Sequence, residues 1–198
     1  MPEYSLDPLQ DDCYENSTVL KNKFNIHDAH QLDMMEQSIT SMLIAKAAIE
    51  IKFENVNFGF YKNLHRYIFS DIYEWAGMIR TVNMSKKGTK FCSADKIEER
   101  GQRIFNRLVN MNFLKELKDD EFIIEFTDLY CDLNYLHPFR EGNGRTQRLF
   151  LSMLVASLGK RLDFSKIDAD YLMIATIKSV SGDIFMLRDI FREYIKED

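Results

Sequence analysis

A chain of 198 residues that is 45% hydrophobic, with 15 Phe and 9 Tyr, has enough apolar side chain for one buried core, which excludes a disordered chain. With 26 Lys and Arg against 31 Asp and Glu, its net charge of -5 argues against direct nucleic-acid binding through broad phosphate contacts. Cys13, Cys92 and Cys131 are too few and too scattered for a disulfide framework, no signal peptide opens the chain, and no apolar run is long enough to span a bilayer, so a cytoplasmic protein away from membranes is expected.

Residues 1–18, polar and acidic with Pro2 and Pro8, read as an extended leader, and residues 19–198 as a single domain. From Ile26 to Lys52, Leu32, Met35, Ile39, Met42, Leu43, Ala47 and Ile49 recur near helical spacing, with Asp28 as the cap. A second helix is expected over Tyr61–Phe69, where His65 lies among apolar positions and reads as structural, and Gly77 is expected to end the segment that follows. Alternating β-branched and polar residues around a Lys-Gly turn predict a hairpin over Arg80, Thr81, Val82, Asn83, Met84, Ser85, Lys86, Lys87, Gly88, Thr89, Lys90 and Phe91. Further helices are expected over 96–115, capped by Asp95 and with Ile97, Ile104, Leu108 and Val109 on the apolar face, and from Asp119 or Asp120 to just before Pro138. The last three run from Asn143–Arg145 to Gly159, over 167–180 and over 186–195. The fold class is mainly α with one short β-hairpin.

Between the fourth and fifth of these helices lies His137-Pro138-Phe139-Arg140-Glu141-Gly142-Asn143-Gly144-Arg145-Thr146-Gln147-Arg148. A Gly-Asn-Gly loop opening a helix leaves backbone N–H groups without internal partners, which suits phosphate oxygens. Gly142 and Gly144 allow close approach, and Asn143 is placed to cap the helix and turn its amide toward the ligand. Arg145 and Arg148, three residues apart, supply a phosphate clamp, and Glu141 a ligand for a magnesium ion that arrives with the nucleotide. His137 can take a proton from an attacking hydroxyl. Phe139 is expected to turn inward and anchor the loop, leaving Arg140 in solvent. Positioning, a base and charge neutralisation are the parts that phosphoryl chemistry needs.

The same stretch matches the Fic-domain signature HxFx[D/E]GNGRxxR at every defining position. With Val19–Lys23 and His65–Arg80, whose centre reads Asp71-Ile72-Tyr73-Glu74-Trp75-Ala76-Gly77, the chain resembles compact bacterial Fic proteins of the cell-filamentation type. The resemblance implies a Fic fold, a helical core with a short β-hairpin flap, and a protein adenylyltransferase that moves AMP from ATP, with Mg2+, to a Ser, Thr or Tyr hydroxyl of a target protein and releases pyrophosphate. It implies His137 as general base, Glu141 as magnesium ligand and Asn143 as an α-phosphate contact. Gly142, Gly144, Arg145 and Arg148 would hold the triphosphate, and Arg80–Phe91 would be the flap that docks the target by edge-strand pairing. Transfer of another phosphate-linked group, removal of AMP, or nucleotide binding without catalysis would use the same residues. The inhibitory motif [S/T]xxxE[G/N] of many relatives has no match: Ser70–Glu74 is followed by Trp75, and Ser179–Asp183 by Ile184. The expectation is therefore restraint by a small antitoxin-like partner in trans, with self-association as another route.

Overall fold

A computed structural model of the chain describes residues 5–6, 12–86 and 89–197. Its architecture rests on helices α1 (Ala29–Glu50), α2 (Phe58–Phe69), α3 (Ile97–Asn110), α4 (Asp119–Leu136), α5 (Asn143–Ser157), α6 (Ala169–Val180) and α7 (Phe185–Tyr194). Short strands β1 (Ser5–Leu6), β2 (Met84–Lys86), β3 (Thr89–Lys90), β4 (Lys160–Leu162) and β5 (Ile195–Glu197) complete it, so the mainly helical expectation holds. No helix among the described residues is long and apolar enough to cross a membrane.

Helix α5 is the axis, packing against α1, α2, α4 and β4. Around it Tyr61, Phe105, Phe139 and Phe150 form an aromatic cluster with ring centroids 5.3–5.7 Å apart. Burial of each such side chain contributes about 1.5–3 kcal/mol, so the rings that organise the core also fix the loop bearing Phe139.

Helix α1 begins where the capping argument places it, because the Asp28 carboxylate accepts from the Gln31 N–H at 2.7 Å. Its buried face differs from the periodic reading: Leu32 and Ala47 are buried with Glu36 and Thr40, whereas Met42 and Ile49 are exposed. The polar pair is inside because Tyr73, in the turn after α2, and Arg145 of α5 present polar partners there, and these outweigh the apolar count of the opposite side.

Helix α3 starts at Ile97 after a short 3-10 turn over Ala94–Lys96, with no side-chain cap bond, and stops at Asn110, five residues before the expected end. Asn112, Phe113 and Leu114 take positive φ of 46°, 54° and 63°, which breaks the helix, and Val109 is exposed instead of facing the core. The hairpin is shorter than predicted, with Ser85 opposite Lys90 and Lys86 opposite Thr89. The leader contributes to this sheet: Ser5–Leu6 pairs antiparallel with Ser85–Met84 along the other edge of β2. Pro2, Pro8, and the Lys87 and Gly88 of the expected turn lie outside the described residues. A second antiparallel pair, β4 with β5, has no counterpart in the sequence expectations.

Candidate active site

The loop between α4 and α5 is built from its own backbone. Helix α4 ends at Leu136 and is capped by His137, whose left-handed conformation (φ 41°) turns the chain toward Pro138. Gly142 takes φ 79° and caps α5, so the cap is the glycine and not Asn143. Asn143 closes the loop instead: its Oδ1 accepts from the Phe139 N–H at 2.8 Å and its Nδ2 donates to the Phe139 carbonyl at 2.7 Å. Phe139 is fully buried, as expected, and stacks on His65 at 3.8 Å.

His65 is the support under this loop. Its Nδ1 accepts from the Gly77 N–H at 2.9 Å, so Nε2 carries the proton and donates to the Glu141 carbonyl at 3.0 Å. Burial holds the imidazole near pKa 3, neutral under ordinary conditions. Gly77 thus ends its segment as expected and also sets the tautomer of a histidine that sequence periodicity marks only as structural.

Arg80, read from sequence as part of the flap, is buried at its root. Its Nε donates to the His137 carbonyl at 2.8 Å, Nη1 to Val82 at 2.5 Å and Nη2 to Cys92 at 2.6 Å, while its backbone N–H donates to Pro138 at 2.9 Å. One guanidinium therefore ties both ends of the flap to the turn that bears His137. Phe91 fixes the His137 ring by stacking at 3.7 Å and 9°. A ring N–H of His137 donates to the Asn134 carbonyl, which leaves the other nitrogen as acceptor. Desolvation, and next the nearby Arg80 charge, lower its pKa to about 3.

The two motif arginines are turned apart. Arg148 is exposed toward a cleft of about 500 Å3 and makes no ion pair or hydrogen bond among the described residues. His137, Gly144, Lys86, Thr89 and Phe91 line the same cleft, opposite Leu172 and Met173 of α6. The first backbone N–H groups of α5 have no intrahelical acceptors and suit an anion at that helix end. Arg145 faces α1: Nη2 pairs with Glu36, Nη1 donates to Thr40 Oγ1 at 3.3 Å, and the guanidinium lies over the Phe69 ring at 4.8 Å. Tyr73 donates its hydroxyl to the second oxygen of Glu36.

Arg145 also lies 3.6 Å from Glu141 Oε1, which accepts from the Gly142 N–H at 2.8 Å. Oε2 of Glu141 has no hydrogen-bond partner among the described residues. Desolvation, followed by the Glu36 charge, raises the Glu141 pKa, while the Gly142 N–H and Arg145 work the other way. Arg140, expected in solvent, is 7% exposed and pairs with Asp12 at 3.3 Å, because residues of the leader cover it. Glu36 and Thr40 are not marked by the sequence pattern, and Tyr73 is marked only as part of the Asp71–Gly77 stretch.

Two neutral buried imidazoles make the fold acid-labile. Their folded pKa values lie near 3 against about 6.5 unfolded, so the unfolded chain binds more protons between those values. The stability they allow is present above pH 6.5 and is lost as pH falls toward 3, by up to about 1.4 kcal/mol per pH unit for each histidine. Glu141, with its raised pKa, opposes this in part. Urea unfolding at pH 7, 6 and 5 should show the decline, and His65→Gln should reduce its slope; a flat profile would contradict neutral burial.

Comparison with known proteins gives a consistent set of likenesses. The model of the Fic/DOC family matches residues 55–155. A probable protein adenylyltransferase of Sinorhizobium fredii is 37% identical over 190 residues, covering 96% of both chains. A protein adenylyltransferase of Bartonella henselae is 34% identical over 91% of this chain, which spans 36% of that longer protein. Among solved structures, the BepC effector of Bartonella tribocorum with bound AMPPNP aligns with a TM-score of 0.88 at 26% identity, covering 96% of this chain and 98% of that one. The N-terminal Fic domain of a Bartonella quintana effector with bound ADP aligns with a TM-score of 0.88 at 26% identity, covering 94% and 95%.

Proposed function

The chain belongs to the Fic/DOC family, and from that membership and the site we infer that it is a protein adenylyltransferase, moving AMP from ATP to a hydroxyl of a target protein. The observation that carries this reading is that His137 and Arg148, the latter unpaired among the described residues, line one cleft together with Gly144 at the start of α5. A triphosphate there meets the α5 backbone amides and Arg148, and its charge raises the His137 pKa from its low resting position. His137 then accepts the proton of a Ser, Thr or Tyr hydroxyl as its oxygen bonds to the α-phosphorus. The bond from that phosphorus to the β-phosphate bridge breaks, and pyrophosphate leaves.

Mg2+ fits the free Oε2 of Glu141 as a single protein oxygen, and the described residues hold no cluster of three or more acidic, His or Cys ligands, so phosphate oxygens must supply the rest. The metal would neutralise phosphate charge. Asn143, Gly142 and Gly144 keep the nest in shape. Arg148→Ala should weaken ATP binding by about 10–100-fold, as loss of a charged clamp costs roughly 1.5–3 kcal/mol; calorimetry with unchanged affinity would remove Arg148 from the site.

The β2–β3 hairpin is read as the target-docking flap. Ser5–Leu6 already takes one edge of β2, so a target backbone adds to the edge of β3 or displaces the leader strand. Restraint by a small partner in trans is supported by Arg148, which has no carboxylate partner among the described residues, and by the exposed Ile174, Ile177 and Val180 of α6. The use of ATP and the free thiols Cys13, Cys92 and Cys131 fit the cytoplasm. The reading is tested by treating native lysate with ATP labelled in the α-phosphate: label should enter protein with the wild-type chain and not with His137→Ala. Equal labelling by both would overturn it.

A further inference from the structure

We propose that Glu36 is a positioning residue that holds Arg145 on α1 and so keeps the Glu141 carboxylate open to a divalent cation; this rests on the nucleotide-binding reading above. Arg145 sits four residues after Glu141 and only 3.6 Å from its Oε1. Without another partner, an arginine this close to a carboxylate pairs with it, frequently through two hydrogen bonds, and fills the lone pairs a cation needs. In this chain α1 intervenes. Glu36, 2% exposed, makes the closer contact to Arg145 Nη2, and Thr40, one turn on, accepts from Nη1 at 3.3 Å.

Glu36 is itself held in place. Oε2 accepts from the Tyr73 hydroxyl and Oε1 from Arg145, so both of its oxygens are satisfied where a lone buried carboxylate would be strongly disfavoured. Tyr73 stacks on Trp75 at 4.4 Å, which fixes the direction of its hydroxyl. The Phe69 ring beneath the guanidinium completes the seat. With Arg145 seated, Glu141 keeps one oxygen on the Gly142 N–H and the other without a partner among the described residues. Arg145 thus acts on the phosphate site through Glu141, and Arg148 alone of the two reaches the cleft.

The test is calorimetric titration of the full chain with ATP, with and without saturating Mg2+; the ratio of the two affinities is the metal-dependent gain. Glu36→Gln releases Arg145 onto Glu141 and should cut that gain by about 10–100-fold, the usual effect of losing a group that orients a metal ligand, with metal-free ATP affinity within about threefold of wild type. Glu36→Gln combined with Arg145→Gln should regain most of it, because the competing cation has gone and no unpaired charge is left buried. Should Glu36→Gln fail to fold, Thr40→Val frees Nη1 alone without burying a charge, and should lower the gain by about threefold. A gain unchanged in Glu36→Gln, or unchanged in Thr40→Val where that variant is used, or a double variant no better than the single, overturns the proposal. Because the readout is binding, a chain that binds Mg-ATP with the full gain and transfers nothing would sink the transferase reading and leave this assignment in place.

Discussion

Replacing His137 should lower AMP transfer by about 10^2–10^4-fold, the contribution of a positioned general base, and leave ATP binding nearly as it was. The separation follows from the site. Phosphates are offered the α5 amides and Arg148, whereas His137 offers a lone pair, with its ring N–H committed to the Asn134 carbonyl. His137 also sits at φ 41°, where alanine costs about 1–2 kcal/mol while asparagine is tolerated better. His137→Asn is therefore the cleaner variant, keeping the turn and removing the base. Single-turnover transfer and ATP titration on both variants check the result; transfer retained in a folded His137→Asn would remove His137 from the chemistry.

Gly142→Ala should be as damaging by another route. Its φ of 79° already disfavours a side chain, and a Cβ built there would lie 2.3 Å from ring atoms of Phe69. Left-handed strain and overpacking together cost about 2–4 kcal/mol. Relief requires either the loop or Phe69 to move, and Phe69 supports Arg145. Thermal melting should show the loss of stability, and ATP affinity and transfer should fall together, unlike the split expected for His137. A Gly142→Ala chain with wild-type melting and activity would show that the loop does not need this close contact.

The α4–loop–α5 unit was legible in the sequence because its determinants are local. Pro138 ends one helix, Gly142 opens the next, and the signature residues lie within 12 positions of each other. What sits around the loop was much less legible. Glu36 meets Tyr73 37 residues away and Arg145 109 residues away, and no local pattern on α1 signals either partner. Counting apolar residues put Met42 and Ile49 inward, but the polar seat for Arg145 draws the opposite side of the helix into the core. Arg80 looked like one more residue of a solvated hairpin; its burial is set by carbonyls at His137 and Cys92, 57 and 12 positions away. The β4–β5 pair joins two short polar stretches, Lys160–Leu162 and Ile195–Glu197, whose alternation is too brief to read as strand.

The transferred group distinguishes a nucleotidyltransferase from a kinase acting at the same site. Mass spectrometry of target protein after incubation with the chain, Mg2+ and ATP labelled separately in the α- and γ-phosphates identifies it. The expected result is an AMP-sized addition on a Ser, Thr or Tyr that carries the α-label and never the γ-label, absent with His137→Asn. A phosphate-sized addition carrying the γ-label would contradict it.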